Sequence, residues 1–275
     1  MFLINLLYIY NFEAPSWLIC SIAVVFTTIM SILGLIAFRK LFPNFLNKEN
    51  NSVVSFSLGT VSLFSSVLIS LIVINVWNSY TGVEQTVDLE AHYSEDFYRL
   101  AQGMPQPIQS QLINDIKQYI DIVVDEEWPA MTANKPISDK GRQTLMHSND
   151  LLLHFQTTNL SAANFQSKLI DKLGSLFDVR RDRIIATKGH VPSVIWLVMF
   201  ISSFLTVAMC YLSTAESFTM HMISTGFVAA SLAATLFLIV IFGHPFQGNM
   251  RIKPSNFISF KNQNLQMSVD PKANP

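Results

Sequence analysis

Four long apolar segments without Asp, Glu, Lys or Arg dominate the pattern of the chain: residues 16–38, 53–77, 191–212 and 222–242. A helix needs about 20 mostly apolar residues to cross the hydrocarbon core of a bilayer. Helices buried in a soluble core rarely contain uncharged runs of this length, and the strands of a membrane barrel alternate polar and apolar positions. The pattern therefore predicts an all-α integral membrane protein with four transmembrane helices.

The four segments form two predicted hairpins, residues 16–77 and 191–243, which flank a helical extramembrane domain at residues 78–190. Most of the charged residues lie in this central domain, and its apolar residues keep helical spacing. An apolar segment, residues 1–15, precedes the first hairpin, and a tail, residues 244–275, follows the second. The N-terminal segment is too short to span a bilayer, so it is interpreted as an interfacial helix or an extension of the first span.

Three apolar stripes predict helices in the central domain. The first follows span two and indicates that this helix continues beyond the membrane surface; it comprises Val83, Val87 and Ala91. The second is expected to end where Pro129 stops the helix, and comprises Leu112, Ile113, Ile116, Tyr119, Ile120, Val123 and Val124. The third ends at Gly189, just before span three, and comprises Phe165, Leu169, Leu173, Leu176, Phe177 and Ile184.

Composition and charge narrow the class of partner. Hydrophobic residues make up 50% of the chain, and a net charge of −1 argues against nucleic acid as a partner. The four spans predict a multi-pass protein of the cell membrane. The basic residues that flank spans three and four favour an orientation with the termini and the central domain in the cytoplasm. The acidic start of the central domain, together with Arg39 and Lys40 after span one, favours the opposite orientation.

Small and hydroxylated residues form a stripe along span two, at Ser55, Gly59, Ser62, Ser66 and Ser70. Their spacing places them on one side of a helix. One interpretation is close helix packing, because small residues let two backbones approach each other. The other is a polar pathway for ions, lined by this face in an oligomer; Asn75, near the end of span two, is the most polar residue there. A second small-residue face, on span four, predicts packing alone and comprises Gly226, Ala230 and Ala233.

Charged residues outside the spans give no pattern typical of an enzyme. No cofactor motif, catalytic nucleophile or metal site is predicted, so the chain is interpreted as a non-enzyme without a cofactor. Five acids below span two are interpreted as a solvated helix face, or alternatively as a cation-attracting ring: Glu84, Asp88, Glu90, Glu95 and Asp96. The acids of residues 125–127 are interpreted as solvated or paired with the basic residues of 180–183, with a cation site and a lipid-head-group enzyme as the alternatives.

Short motifs follow one another from the central domain to the tail. They comprise Glu127, Trp128, Pro129, Arg180, Arg183, Pro192, Trp196, Pro245, Phe246 and Gly248. Their order and their placement relative to four spans resemble the bestrophin-like family of bacterial membrane proteins, over residues 53–257. Pro245 is expected to end the fourth helix, Gly248 to allow a tight turn, and Phe246 to anchor at the membrane interface.

The name of that family points to the bestrophins, which are homopentameric anion channels with four spans per subunit and a pore neck lined by the second span. The resemblance implies a homo-oligomer, a pentamer by analogy, that lies in the lipid bilayer and conducts inorganic ions, including anions. The implied pore-lining residues are Ser55, Gly59, Ser62, Ser66, Ser70, Ile74 and Asn75. Calcium gating is not implied, because residues 247–250 contain no acid. The alternative is a non-conducting membrane scaffold whose helical domain docks a partner protein.

Overall fold

The computed structural model describes residues 15–43, 51–189, 191–215 and 217–269. Within these ranges the chain is helical without a strand, which confirms the all-α prediction. The elements in chain order are α1 (Ser16–Leu41), α2 (Asn51–Ala101), α3 (Ile108–Ile122), a π-helical turn (Val123–Glu127), α4 (Trp128–Thr132), α5 (Lys140–His154), α6 (Leu160–Ala186), α7 (Ser193–Leu212), α8 (Phe218–Phe242) and α9 (Ser255–Val269). The prediction for the apolar N-terminal segment lies outside the described residues.

Four helices are long and apolar enough to cross a membrane: α1, α2, α7 and α8. The four predicted spans are confirmed, with ends that shift by a few residues. Helix α8 begins at Phe218 rather than at Met222, and α1 continues to Leu41. Arg39 and Lys40 occupy the last turn of α1, where the negative end of the helix dipole favours cations.

Helix α2 has 51 residues and is therefore about 77 Å long at the usual rise per residue. Its second half carries the predicted apolar stripe, and Val83, Val87 and Ala91 are all buried. The predicted continuation of span two into the central domain is confirmed, because no break separates the two halves of the helix.

Contacts divide the chain into two compact units. The membrane unit comprises Met1–Tyr80, Gly189–His244 and Gly248–Met250, and the central unit comprises Thr81–Lys188, Pro245–Gln247 and Arg251–Pro275. Helix α2 contributes its first part to the membrane unit and its second part to the central unit. Each unit has a core of its own.

In the membrane unit, α1 packs along α8. Their shared core consists of Ile19, Ala23, Phe237 and Ile241. Gly226 is buried in the same helix pair, and a Cβ atom at this position would lie 3.4 Å from Thr28 Cγ2. The small-residue face of span four thus lets α1 approach closely, as its pattern predicts.

In the central unit, the helix predicted to end at Pro129 does not end there. The backbone N–H of Trp128 donates to Val123 O, so one π-helical turn joins α3 to α4, and the helical path continues to Thr132. Pro129 falls in the first turn of α4, where a missing N–H leaves few helical bonds unmade. The expectation that Pro129 stops the helix is therefore wrong.

Helix α6 follows the third predicted stripe. Asn159 caps its first turn, because its Oδ1 accepts from the backbone N–H of Ser161 at 2.9 Å. The stripe residues Leu169, Leu173 and Leu176 are almost completely buried in the central unit. The burial of this stripe places the arginines at the end of α6 against the unit's interior.

Candidate functional site

The stripe on α2 faces away from the rest of its own chain. Its members are Ser55, Gly59, Ser62, Ser66, Ser70, Ile74 and Asn75, and all are exposed except Ser62, which is half-buried. A Cβ atom at Gly59 would meet no described atom within 4 Å. Ser66 Oγ donates to Leu63 O at 2.9 Å, so this hydroxyl is satisfied within its own helix. Among the described residues, nothing in the chain covers the stripe near Gly59.

The opposite face of α2 packs inside the membrane unit. Ile69 and Val76 are buried against Met199 of α7 and Ile239 of α8. Phe242, at the end of α8, stands edge-on to Trp77 with ring centroids 4.9 Å apart. These contacts fix which side of α2 is turned outward.

A cluster of hydroxyl groups adds hydrogen bonds between α2 and α7 to this interface. Ser202 and Thr206 of α7 donate to Ser65 Oγ of α2 at 2.7 and 2.9 Å. Ser65 and Thr206 are 3% and 2% exposed. Hydrogen bonds between transmembrane helices contribute about 0.6 kcal/mol each on average. The cluster therefore specifies how α2 is oriented against α7 as much as it stabilises their contact. Ser65 is not among the residues predicted to have a role, although its spacing to Ile69 and Val76 places it on the buried face.

Two polar contacts join the ends of the hairpins in the membrane unit. Asn51, the first residue of α2, donates to Thr214 O at 3.1 Å and accepts from Thr214 N at 2.9 Å. His221 Nε2 lies 2.8 Å from Cys210 O, which only accepts, so Nε2 carries the proton. His221 Nδ1 is then free to accept from Arg39 Nη2, 2.8 Å away. His221 therefore ties α1 to α8.

The central unit contains a buried cluster of ionised side chains, here called the ion cluster: Glu90, Glu127, Arg180 and Arg183. Arg183 forms a bidentate pair with Glu90, through Nε to Oε2 at 2.6 Å and Nη2 to Oε1 at 3.0 Å. Its Nη2 also donates to Glu127 Oε2 at 2.6 Å, and Arg180 donates to Glu127 Oε1. The cluster joins α2, α6 and the π-helical turn.

The ion cluster is electrically balanced, with two carboxylates and two guanidinium groups, all 5% exposed or less. Burial alone would lower the pKa of Arg183, but the charge of Glu90 and its hydrogen bonds raise it above its ordinary value. Tyr119 is fully buried beside Glu90, and burial followed by the Glu90 charge raises its pKa. The phenol therefore stays protonated and donates to Glu90.

Trp128 covers the ion cluster. The guanidinium of Arg183 lies 5.4 Å from the ring centroid of Trp128, within the range of a cation–π contact. Trp128 Nε1 donates to Ile252 O at 3.2 Å, and its ring stands edge-on to Phe246 at 5.8 Å. Phe257 lies on the same ring at 6.1 Å. The segment after span four thus packs onto the central unit.

Phe246 is 2% exposed and buried under Trp128, so the expectation that it anchors at a membrane interface is wrong. The other two expectations for this motif are confirmed. Helix α8 ends at Phe242, before Pro245, and Gly248 has a φ of 72°, a left-handed conformation that glycine adopts without strain. The resulting turn returns the chain so that Ile252 N donates to Pro245 O at 2.8 Å.

The acids below span two do not form one solvated face. Glu90 is fully buried in the ion cluster, so its interpretation as a solvated residue is wrong. Asp88 accepts from Asn256 at 2.8 Å, and Asp96 pairs with Lys172 at 3.0 Å. Glu84 is exposed. A signal for Glu90 existed in the sequence, because it lies on the same helix face as the buried stripe of α2.

The three acids of residues 125–127 take separate partners. Asp125 pairs with Lys261 at 2.7 Å, Glu126 pairs with Lys140 at 2.8 Å, and Glu127 belongs to the ion cluster. The interpretation of these acids as paired with bases holds for all three, and the arginine partners of residues 180–183 belong to Glu127 alone. Within the described part of the chain, no three His, Cys, Asp or Glu side chains converge on a metal position.

The remaining motif residues begin α7. Pro192 is the N-cap of this helix, with φ −56° and ψ 146°, and it is exposed. Trp196 is half-buried and stacks on Phe200 with centroids 5.8 Å apart. Both belong to the membrane unit. They shape the start of span three and do not reach the stripe.

The chain matches the profile of the Bestrophin-like domain over residues 25–257. The protein belongs to the bestrophin-like family. The match extends from the first span to the Phe257 contact on Trp128, so it includes both units. No protein with curated annotation matches the sequence.

Solved structures share the fold of this bestrophin-like chain. A single-substitution variant of a bacterial bestrophin homologue from Klebsiella pneumoniae matches with a TM-score of 0.65 at 10% identity, covering 91% of this chain and 99% of that one. A second variant of that homologue matches with a TM-score of 0.64 at 9% identity, covering 90% and 99%. A structure described as a membrane protein gives 0.64 at 9% identity, covering 91% and 99%. At these identities the likeness concerns the fold.

Proposed function

We propose that this bestrophin-like protein is an oligomeric ion channel in which α2 lines the conducting pathway. The observation that carries the proposal is the polar stripe, which its own chain leaves exposed together with neighbouring apolar residues such as Phe64, while Ile69 and Val76 of α2 are packed. A carboxamide such as that of Asn75 is costly against acyl chains, which offer no hydrogen bonds. Water in a pathway between copies of the chain removes that cost. The stripe is the face that a pore would use.

The conducted ion is proposed to be an inorganic anion. Serine hydroxyls that are not bonded within their own helix, unlike that of Ser66, offer donors to an anion, whereas a cation pathway is typically lined by rings of acids or carbonyls. Three of the acids below span two are engaged inside the central unit, by Arg183, Asn256 and Lys172. Two of these carboxylates are thus neutralised by ion pairs, and the third accepts a hydrogen bond from Asn256. The family resemblance adds a pentamer, and no catalytic step or cofactor is part of the proposal.

Reconstitution tests the proposal directly. Purified protein in liposomes is expected to give chloride efflux above that of protein-free liposomes, and Ser66→Leu is expected to reduce it at least tenfold by placing an isobutyl group on the stripe. The matched control is Ser231→Leu, because Ser231 is likewise exposed and bonded to its own helix, at Phe227 O, but lies on α8. Equal effects of the two substitutions would contradict a pore along α2.

Stoichiometry distinguishes a channel from a scaffold. Particles of the protein in nanodiscs are expected to have the mass of a pentamer, and a monomer in both mild detergent and nanodiscs would refute the proposal. Stripe substitutions that alter assembly, in a protein that never gives ion flux, would instead support a non-conducting scaffold whose helical domain docks a partner.

The proposed location is the cell membrane, with the termini and the central unit in the cytoplasm. Lys253 is exposed in the segment after span four. In intact cells, Lys253→Cys is expected to resist a membrane-impermeant maleimide and to react after permeabilisation. The native Cys20 and Cys210 lie within spans and serve as the background in the parent protein. Labelling in intact cells would reverse the proposed orientation.

A further inference from the structure

The membrane unit contains a cavity of about 400 Å³ between α1, α7 and α8. This volume is within the range of small-molecule sites, about 300 to 1,000 Å³. Four aromatic rings contribute to its wall, those of Phe200, Phe204, Tyr211 and Phe237, and most other wall residues are aliphatic. The three helices are membrane spans, so the molecules that reach the cavity are those dissolved in the bilayer.

Four hydroxyl groups interrupt this apolar wall, those of Thr27, Ser31, Ser203 and Tyr211, and two of them have no partner in the described part of the chain. Ser31 of α1 and Ser203 of α7 both line the cavity, and each lies near the middle of its helix. Both Oγ atoms are buried, and neither has a hydrogen-bond partner among the described residues. A buried hydroxyl without a partner costs about 1–3 kcal/mol, and the usual remedy in a transmembrane helix is the carbonyl four residues earlier.

Other hydroxyls of the membrane unit use that remedy. Ser21 donates to Trp17 O, Thr27 to Ala23 O, and Ser231 to Phe227 O, at 2.8 to 2.9 Å. Tyr211, on the cavity wall, donates to the backbone carbonyl of Ser31 at 2.8 Å and is thereby satisfied. Among the hydroxyls that line this cavity, the unused donors are thus those of Ser31 and Ser203, on different helices. Outside its wall, the buried hydroxyls of Ser16 and Thr28 likewise have no partner among the described residues.

We infer that the cavity is a binding site for a lipid-soluble quinone. A quinone is a planar ring with two carbonyl acceptors on opposite edges and an apolar tail. The carbonyls suit the hydroxyls of Ser31 and Ser203, the ring suits the aromatic wall, and the tail leaves through the open side toward the bilayer. The inference concerns binding alone and does not rest on the proposed ion conduction.

Two other occupants fit less well. The acyl chain of a phospholipid suits the apolar wall but has no acceptor for either hydroxyl at mid-span. The carbonyls of a helix from a second copy already accept bonds within that helix and offer only a second lone pair, as Ser31 O does to Tyr211. The acyl chain leaves both serine donors without an acceptor, and the helix satisfies them only where its backbone comes within hydrogen-bond distance. Both alternatives are separated from the quinone by experiment.

The test measures decylubiquinone retained by the full-length protein in nanodiscs, quantified by extraction and chromatography against empty discs. Saturable binding near one molecule per chain is expected. The double variant Ser31→Ala, Ser203→Ala is expected to weaken it about tenfold, because two hydrogen bonds are lost. The matched control is Ser21→Ala, Ser231→Ala, which removes hydroxyls already bonded to their own helices and is expected to leave binding unchanged.

Several outcomes would overturn the inference. Retention no greater than that of empty discs would do so, as would equal affinity of the parent and the Ser31→Ala, Ser203→Ala variant. Displacement of the quinone by equimolar dioleoylglycerol would assign the cavity to ordinary lipids. Ala229→Phe fills the cavity from a residue that is 1% exposed and is expected to abolish binding; a thermal melt of this variant shows whether it is folded.

Discussion

Gly141 of α5 lies against the ion cluster, and its missing side chain is a structural requirement. A Cβ atom built at this position would lie 2.6 Å from Glu127 Oε1 and 3.1 Å from Arg180 Nη2. Both partners are buried and form an ion pair with each other, and Glu127 is also bonded to Arg183. Gly141→Ala therefore forces a buried ion pair to open or α5 to withdraw.

The magnitude follows from two opposing effects. Overpacking a filled interior costs about 1–3 kcal/mol, and the contact with a fixed carboxylate places this site at the upper end. Alanine in place of glycine favours a helix by at most about 1 kcal/mol. The net loss is expected to be about 2 kcal/mol, which corresponds to amide exchange about thirtyfold faster for amides that exchange through opening of the central unit.

Hydrogen–deuterium exchange of the full-length protein, read on peptides that cover residues 123–132, measures this loss. The control is Gly174→Ala on α6, the helix that carries Arg180 and Arg183. Gly174 is exposed, and a Cβ atom there meets no described atom within 4 Å, so this variant should exchange as slowly as the parent or more slowly. If Gly141→Ala matched the parent or protected these peptides better, the steric account of the ion cluster would be refuted.

Three further predictions concern other contacts of the two units. Arg183→Met should destabilise the central unit by about 3–5 kcal/mol in thermal unfolding, because two buried carboxylates keep a single cation, whereas Met at the exposed Arg181 should cost little. Ser65→Val should lower the melting temperature in detergent by removing about 1 kcal/mol of interhelical hydrogen bonds. An unchanged melting temperature would show that the hydroxyl cluster does not stabilise the contact of α2 with α7. Hydrogen bonds to Asp121 and Asp125 raise the pKa of Lys261 above its ordinary value of 10.5. Its ion pairs contribute less than about 1 kcal/mol to the stability of the folded state; this contribution is therefore complete below pH 10.5 and is lost as the pH rises through the raised pKa. The difference in protection of α9 between the parent and Lys261→Met should therefore shrink only at strongly alkaline pH.

The spans and the long α2 follow from the sequence because their cause is local. An uncharged run of sufficient length has no other stable location than a bilayer, and the stripe of Val83 and Val87 continues the same helical period. The π-helical turn before Pro129 has no such local signal. Proline stops a helix in most contexts. Here one wider, π-helical turn precedes Pro129 and accommodates it, and the same turn places Glu127 in the interior.

The sequence indicates the ion cluster only in part, through the pairing of the acids of residues 125–127 with the basic residues of 180–183. Glu90, Glu127 and the two arginines lie in three distant parts of the sequence, and a charged residue is solvated unless a partner is brought to it by the fold. Glu90 meets Arg183 only because α2 and α6 pack together, so the pattern of α2 indicates the burial of Glu90 but not its partner. Phe246 is a similar case, since its burial depends on contact with Trp128, which lies far away in the sequence.

The residues that carry the family resemblance and the residues proposed to line the pore have different physical roles. Glu127, Trp128, Arg180, Arg183 and Phe246 meet in the interior of the central unit, where each contacts another member. A buried ionic cluster loses much when one partner is removed, which ties each of its members to the others. The exposed stripe of α2 has no such constraint within its own chain. Substitutions in the cluster should therefore act through folding and lower the amount of assembled protein, whereas substitutions in the stripe should change conductance per assembled particle. A stripe variant that lost flux only in proportion to lost assembly would place α2 among the packing elements and remove it from the pathway.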